Sequence, residues 1–410
     1  MRYRVVLHSY GMEYVEVRVR DVPGLKTFGR VPVFSEDGAL EVFWTGSGVE
    51  FAGYFSAAWI ELESDYETYE SWVSVFVNGA WIARFILEKG RRWYCLARGM
   101  NASKAQSIRV LKDTQAMGDD PAHSLVMRTV RVETTGAAPA EAVRADEVFV
   151  SVPRKKRMIE FVGDSITSGE GTIGAKGEMD WISMWFTCAN TWAYMAAERL
   201  DADFRFVSQS GWGVYCAWDN DIRHALPLHY AELCGPMLSG RLESGHPCIK
   251  SRRASEAGRI RAGAPYDFSK EPANAVVINL GTNDSGSFRN PAWTDPETGT
   301  VYKQRLNPDG SLNADDAAKF THAAERFLAL VREKNPDALI VWAYGMLGFE
   351  MERYILQAIE SRKVGGDGSV SYLRLPAMLS GEEGSRDHPG YPAHQRAADS
   401  VAECLTELWK

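Results

Sequence analysis

At 410 residues, with 45% hydrophobic and 24% charged side chains, the chain is long enough for two or three domains with real cores. Its net charge of -8 argues against a nucleic-acid partner and against an anionic membrane surface. The 6 cysteines are scattered with no CxxC pair, which argues against a disulfide frame or zinc site, and no segment is apolar and long enough to span a bilayer.

The first ten residues have a basic start but only a brief apolar run. They lack the apolar core and small-residue cleavage site of a signal peptide, so with the reduced cysteines a cytoplasmic location is expected. Up to about residue 150 the chain reads as β-structure. Residues 40–44, 59–63, 72–77, 81–87 and 124–132 alternate apolar and polar side chains, the mark of half-buried strands. Val77-Asn78-Gly79-Ala80 is a hairpin turn, because Asn-Gly accepts positive φ. Many short strands without a clear helix predict an all-β sandwich of the jelly-roll kind over residues 1–152. Residues 137–140 read as a loop, and Pro153-Arg154-Lys155-Lys156-Arg157 as a solvated joint.

From residue 153 to 410 the pattern changes to alternating strands and helices. Met158-Ile159-Glu160-Phe161-Val162 is a largely apolar run suited to a buried parallel strand, ending in Gly163-Asp164-Ser165. A helix is expected over 190–200, a strand over 204–208, then a glycine turn at Gly211-Trp212-Gly213. Residues 215–270 show no clean period and read as an irregular insertion. Strands are expected over 275–280, 338–344 and 370–375. Helices are expected over 314–334, 350–359 and 393–408, with a polar loop over 288–313. Such alternation predicts a parallel sheet with helices on both faces.

The loops leaving the carboxyl ends of such strands converge on one crevice. They carry Ser165 as a nucleophile, Gly213 as a backbone N–H donor, Asn283 as a side-chain donor and His388 as a base. The Ser165 N–H adds a third oxyanion donor, and the set suffices for ester hydrolysis without a metal or other cofactor. His388 before Pro389 could instead cap a loop, and Ser165 could be a helix N-cap. His394 reads as a surface or capping residue of the last helix. His224, His229 and His246 have no metal-ligand spacing. Asp164 and Asp284 read as loop-holding carboxylates. Trp212, Tyr215 and Trp218 either pack in the core or line a sugar site.

Gly163-Asp164-Ser165-Ile166, Gly281-Thr282-Asn283-Asp284 and Asp387-His388-Pro389 resemble, in order, motifs of the SGNH (GDSL-type) hydrolase superfamily over residues 158–410. The resemblance implies a flavodoxin-like three-layer α/β/α domain. Its second motif favours Gly213 as the oxyanion glycine, with Gly211 the alternative. The Gly-x-Ser-x-Gly elbow of α/β-hydrolases is absent. The β-sandwich ahead of this domain, with Trp44-Thr45-Gly46-Ser47-Gly48 and Ser210-Gly211-Trp212-Gly213-Val214, is similar to carbohydrate esterase family 2. That family removes acetyl groups from plant polysaccharides and acetylated sugars, which implies an acetylated mono-, oligo- or polysaccharide as partner.

One departure stands out. Most of the superfamily has an aspartate three residues before the histidine, where this chain has Ser385. Family 2 often uses a dyad whose histidine is oriented by a backbone carbonyl or another group. A Ser165–His388 dyad is expected here, with Asp387, Glu383 or Glu382 as candidate orienters. The alternatives are a lipase or thioesterase of the same superfamily, and a carbohydrate-binding protein with a degenerate esterase site.

Overall fold

The computed structural model describes residues 4–7, 13–31, 34–134, 145–237 and 261–410. The chain divides into two units, Met1–Arg154 with Leu233–Ala264, and Lys155–Glu232 with Pro265–Lys410. The expected boundary at 152/153 leaves residues 233–237 and 261–264 in the second domain, whereas they group with the first unit. Leu233 and Cys234 donate their N–H groups to Ala264 O and Ala262 O at 2.8 and 2.7 Å. Leu233 O accepts from the buried Trp44 indole at 2.6 Å, and Arg261 pairs with Glu41 at 2.5 Å. Pairings so distant in sequence leave no periodic trace. Residues 137–140, His246 and Cys248 lie outside the described residues.

In the first unit the strands are β1 (Arg4–Leu7), β2 (Glu13–Arg18), β3 (Lys26–Phe28), β4 (Leu40–Glu41), β5 (Gly48–Gly53) and β6 (Ala57–Asp65). They continue with β7 (Trp72–Val77), β8 (Ala80–Ile86), β9 (Gly90–Ala97), β10 (Gln106–Lys112), β11 (Ser124–Thr134) and β12 (Phe149–Val150). One antiparallel sheet runs β1-β2-β11-β6-β9 with β4 on β11; the other runs β12-β5-β10-β7-β8 with β3 on β5. Both sheets feed one apolar cluster, with Val15, Ile60, Leu62 and Val130 from the first and Phe51, Val75, Ile108 and Val110 from the second. Asn78 and Gly79 take φ of 52° and 83° and join β7 to β8, so the Asn-Gly turn forms as its chemistry dictates. The strand expected over 40–44 stops at Glu41, and Trp44 turns into the interior.

The second unit carries five parallel strands, β13 (Met158–Gly163), β14 (Asp203–Ser208), β15 (Ala275–Asn279), β18 (Leu339–Tyr344) and β19 (Val370–Arg374), in the order β14-β13-β15-β18-β19. The order reverses at β13, and the crevice outside such a switch point is where open α/β sheets bind ligands. Two short strands, β16 (Trp293–Thr294) and β17 (Val301–Tyr302), form a hairpin inside the stretch expected to be loop. The helices here are α2 (Ser165–Ser168), α3 (Trp192–Arg199), α4 (Thr282–Ser287), α5 (Ala314–Lys334), α6 (Glu352–Val364) and α7 (Tyr391–Leu408), after α1 (Ala145–Val148) of the first unit. Thr191 and Asn313 cap α3 and α5 by accepting from Tyr194 and Asp316 N–H. Helix α3 packs on α7, and α5 on α6.

The core of the parallel sheet is aromatic: Phe161 meets Trp192 edge-on at 5.3 Å and Phe206 at 5.8 Å, all three fully buried. One charged pair interrupts it. Glu160 and Arg205 lie opposite each other on β13 and β14, fully buried and ion-paired. Tyr230 donates to Glu160, and Asn335 Nδ2 donates to the Tyr230 hydroxyl at 2.8 Å. The pair thereby holds the segment around Tyr230 on the unit. The joint expected at 153–157 is a linker with local partners: Lys155 pairs with Asp201, and Arg157 covers the Trp409 ring at 3.9 Å. No described helix is long and apolar enough to cross a membrane.

Candidate active site

Parallel register sets the site. Gly163, at the end of β13, lies opposite Ser208 on β14 and Asn279 on β15. The chain leaves these strand ends side by side, so Ser165, Gly211 and Asn283 follow within two to four residues of one line. Asp164 caps the short helix α2, its Oδ1 accepting from Ile166 N–H at 3.1 Å, and Ser165 starts that helix.

His388 arrives from the loop after β19, and its Nε2 lies 2.8 Å from Ser165 Oγ. Its Nδ1 lies 2.9 Å from the carbonyl oxygen of Arg386. A carbonyl only accepts, so Nδ1 carries the proton and the lone pair of Nε2 faces the Ser165 hydroxyl. That is the tautomer a general base requires. The carbonyl reaches the ring because Arg386 and Asp387 both take left-handed backbone conformations, with φ of 56° and 54°. Two adjacent non-glycine residues in that region are strained by about 1–2 kcal/mol each.

This corrects the expected orienters. Asp387 is exposed, and Nδ1 is held by the Arg386 carbonyl instead. Glu382 pairs with Arg396 and Glu383 with Lys176. Ser385 is fully buried against Gly174, with its N–H donated to Gly171 O at 3.0 Å.

The second glycine turn also differs from expectation. Gly213 donates its N–H to His224 O at 3.4 Å and accepts from Leu226 N–H at 2.9 Å. It is buried, and a Cβ there would meet Cys216 O and Asp284 Oδ2. Its N–H is therefore already engaged. Gly211, at φ 80°, is partly exposed, and among the described residues its N–H has no acceptor. The same holds for the Ser165 N–H. Asn283 donates one amide proton to Trp212 O at 2.9 Å, which ties it to this turn and leaves its second proton for a ligand.

The two aspartates hold loops. Asp284 accepts from the N–H groups of Val214, Tyr215 and Cys216 at 2.8, 2.8 and 3.3 Å. Burial still pushes its carboxyl up to about 6, outweighing those three bonds. Burial likewise pushes Asp164 up to about 7.

Of the expected sugar-facing aromatics, Trp212 is corrected. It is 5% exposed and stacks on His224 at 4.9 Å, so it belongs to the interior. Tyr215 is half-buried. Trp218 is 51% exposed and borders Gly211, where a Cβ would meet its Cδ1 at 3.0 Å. His394 is not on the surface. It is fully buried; its Nδ1 accepts from Trp192 N–H and its Nε2 faces Thr172 Oγ1, both at 3.0 Å. It caps a helix, but α3 rather than its own.

No family model matches the sequence. The acetyl xylan esterase Est2A from the rumen bacterium Butyrivibrio proteoclasticus is 35% identical, covers 96% of this chain and 99% of its own, and superposes with a TM-score of 0.86. The chain belongs to carbohydrate esterase family 2. A family 2 esterase from Clostridium thermocellum, solved with cellohexaose, shares the fold at 22% identity and a TM-score of 0.69, covering 94% of this chain and 99% of its own. The cellulase/esterase CelE of Acetivibrio thermocellus is 26% identical over 402 residues, 95% of this chain. This chain spans 40% of the length of CelE.

Within this family 2 chain, one acidic residue near the site escaped the sequence reading. Glu170 is 3% exposed, and its Oε1 lies 2.8 Å from Arg386 Nε and 4.0 Å from His388 Nε2. Its only linear trace is its place between Gly169 and Gly171, just after the serine motif. Gly171, at φ 74°, must lack a side chain, since a Cβ would meet Ser385 O and lie 2.8 Å from His388 Cβ.

Asn283→Ala removes a side-chain donor from this turn. It is expected to lower kcat by about 10²- to 10³-fold, the usual loss for one oxyanion donor, with little change in KM. Steady-state kinetics on p-nitrophenyl acetate reads this directly. A fall in kcat/KM carried by KM alone would assign Asn283 to substrate binding.

Proposed function

We propose that the chain is a serine esterase that removes small acyl groups, most simply acetyl, from carbohydrate hydroxyls. The observation that carries this reading is the 2.8 Å approach of His388 Nε2 to Ser165 Oγ, with Nδ1 locked as the protonated nitrogen. His388 takes the Ser165 proton as Oγ attacks the ester carbonyl. The oxyanion is held by the N–H groups of Ser165 and Gly211 and by Asn283 Nδ2. As the acyl C–O bond to the sugar breaks, the proton on Nε2 passes to the departing sugar oxygen, which leaves as a hydroxyl, and acyl-Ser165 remains. Water then attacks, giving its proton to Nε2, and Ser165 leaves with that proton. Exposed Trp218 beside Gly211 suits stacking on a sugar ring. The 35% identical Est2A is described as an acetyl xylan esterase, which favours acetylated plant polysaccharide over a lipid ester. The strand order supports a flavodoxin-like α/β/α unit, and the two packed sheets support a jelly-roll-like sandwich.

Acetylated xylo-oligosaccharides and p-nitrophenyl acetate should be hydrolysed at least tenfold faster than p-nitrophenyl octanoate. Preference for octanoate would replace this reading with a lipase or thioesterase. Binding of xylo-oligosaccharide without release of acetate from any acetylated sugar would favour a degenerate, carbohydrate-binding site.

A further inference from the structure

With Ser385 turned into the interior and Asp387 in solvent, no carboxylate among the described residues hydrogen-bonds Nδ1 of His388. The ring is instead bracketed by Arg386, and Arg386 is itself held at three points. Its N–H donates to Glu178 O at 2.7 Å, its Nη1 to Met179 O at 3.0 Å and its Nε to Glu170 Oε1 at 2.8 Å. The partner with charge is buried and fixed: Glu170 donates its own N–H to Ser165 O at 3.0 Å. The same Oε1 faces His388 Nε2 from 4.0 Å, too far for a hydrogen bond but close enough for charge to act between two largely buried side chains.

We propose that Glu170 is the positioning residue of the Ser165–His388 pair and stands in for the aspartate absent at position 385. It clamps Arg386, whose carbonyl holds the ring through Nδ1. Its charge, opposed by the Arg386 guanidinium, sets how readily Nε2 accepts a proton. The inference rests on the esterase reading of the site. Other titratable groups surround His388 without sharing this geometry. His394 on α7 is buried and stays neutral above about pH 3. Asp164 is buried at the end of β13, Asp387 is exposed, and Glu382 and Glu383 are paired with Arg396 and Lys176.

Opposed charges give a signature that simple structural support does not. Glu170→Gln leaves the guanidinium facing the ring, so a charged imidazole is disfavoured. The acidic limb of the kcat/KM profile should move to lower pH by about one unit. Arg386→Gln leaves the carboxylate, and the limb should move to higher pH by a similar amount. The double variant should return close to wild type. For Glu170→Gln, kcat should also fall by about 10- to 100-fold, less than the roughly 10⁴-fold loss on neutralising a triad aspartate, because the Arg386 carbonyl remains.

The profile is measured on p-nitrophenyl acetate. The midpoint of the His388 ring resonance is followed separately by NMR of histidine-labelled protein, assigned with His388→Gln. Shifts in opposite directions support the assignment. Midpoints that stay put, or move the same way in both variants, overturn it. Absence of acetyl-ester turnover in the wild type would sink the esterase reading alone, because the NMR midpoints still decide the role of Glu170.

Discussion

Ser165→Ala is expected to lower kcat on p-nitrophenyl acetate by about 10⁴-fold or more while leaving the unfolding transition in place. Without Oγ no acyl-enzyme can form, and only oxyanion stabilisation of direct water attack remains. Folding should survive because the Ser165 hydroxyl bonds to His388, while Asp164 supplies the cap of α2. His388→Gln should cost a similar factor, and the double variant little more than either single one, since the two act as one unit. The informative control is Asp387→Asn. In a standard triad, neutralising the aspartate costs roughly 10⁴-fold. Here Asp387 is exposed, and asparagine tolerates the same left-handed backbone, so activity should stay within about twofold. Near-wild-type activity for Ser165→Ala would remove the assigned nucleophile, and a 10³-fold loss for Asp387→Asn would restore a triad.

His394 should make the protein less stable in mild acid. Burial lowers this imidazole from 6.5 to about 3, with the neighbouring His388 adding to the effect. The sign follows from proton uptake: the folded protein keeps the ring neutral, whereas the unfolded chain protonates it below about pH 6.5. Stability from this group is therefore full above that pH and is lost progressively as pH falls toward 3. Between pH 7 and pH 5 the loss amounts to about 2 kcal/mol. Asp164 and Asp284 act in the opposite sense. Their carboxyls are raised to about 7 and about 6, so their share of stability declines as pH rises from about 4 through those values. His394→Gln isolates the first effect, because glutamine can accept from Trp192 N–H and donate to Thr172 without titrating. Urea unfolding at pH 7 and pH 5 should show the wild type losing about 2 kcal/mol more than the variant. Equal losses in both would contradict a buried neutral His394.

Several sequence expectations failed for reasons that lie in particular contacts. Trp212 and Trp218 are alike in composition and six residues apart, yet one stacks on His224 in the interior and the other is half in solvent. The motif register favours Gly213 over Gly211 as the donor, but the pairing of Gly213 with His224 O and Leu226 N–H engages it. Each depends on which groups residues 224–226 bring back against the turn, a ring in one case and backbone in the other, and that segment has no period to read. The same holds for Leu233 and Arg261, which are anchored to Trp44 and Glu41 of the first unit.

Legible in the chain alone were the alternation of buried strands and helices after residue 153, the Asn-Gly hairpin, and the three motifs that carry Ser165, Asn283 and His388 into the loops after β13, β15 and β19. These are local properties: apolar runs, caps and turn residues act within a few positions of themselves. Tertiary contacts settle what orients His388, which glycine keeps its N–H without an acceptor, and where Glu170 stands. Those outcomes depend on a left-handed turn at Arg386–Asp387, on the pairing of Gly213 with His224 O and Leu226 N–H, and on a Glu170–Arg386 contact between residues 216 positions apart, none of which local propensity encodes.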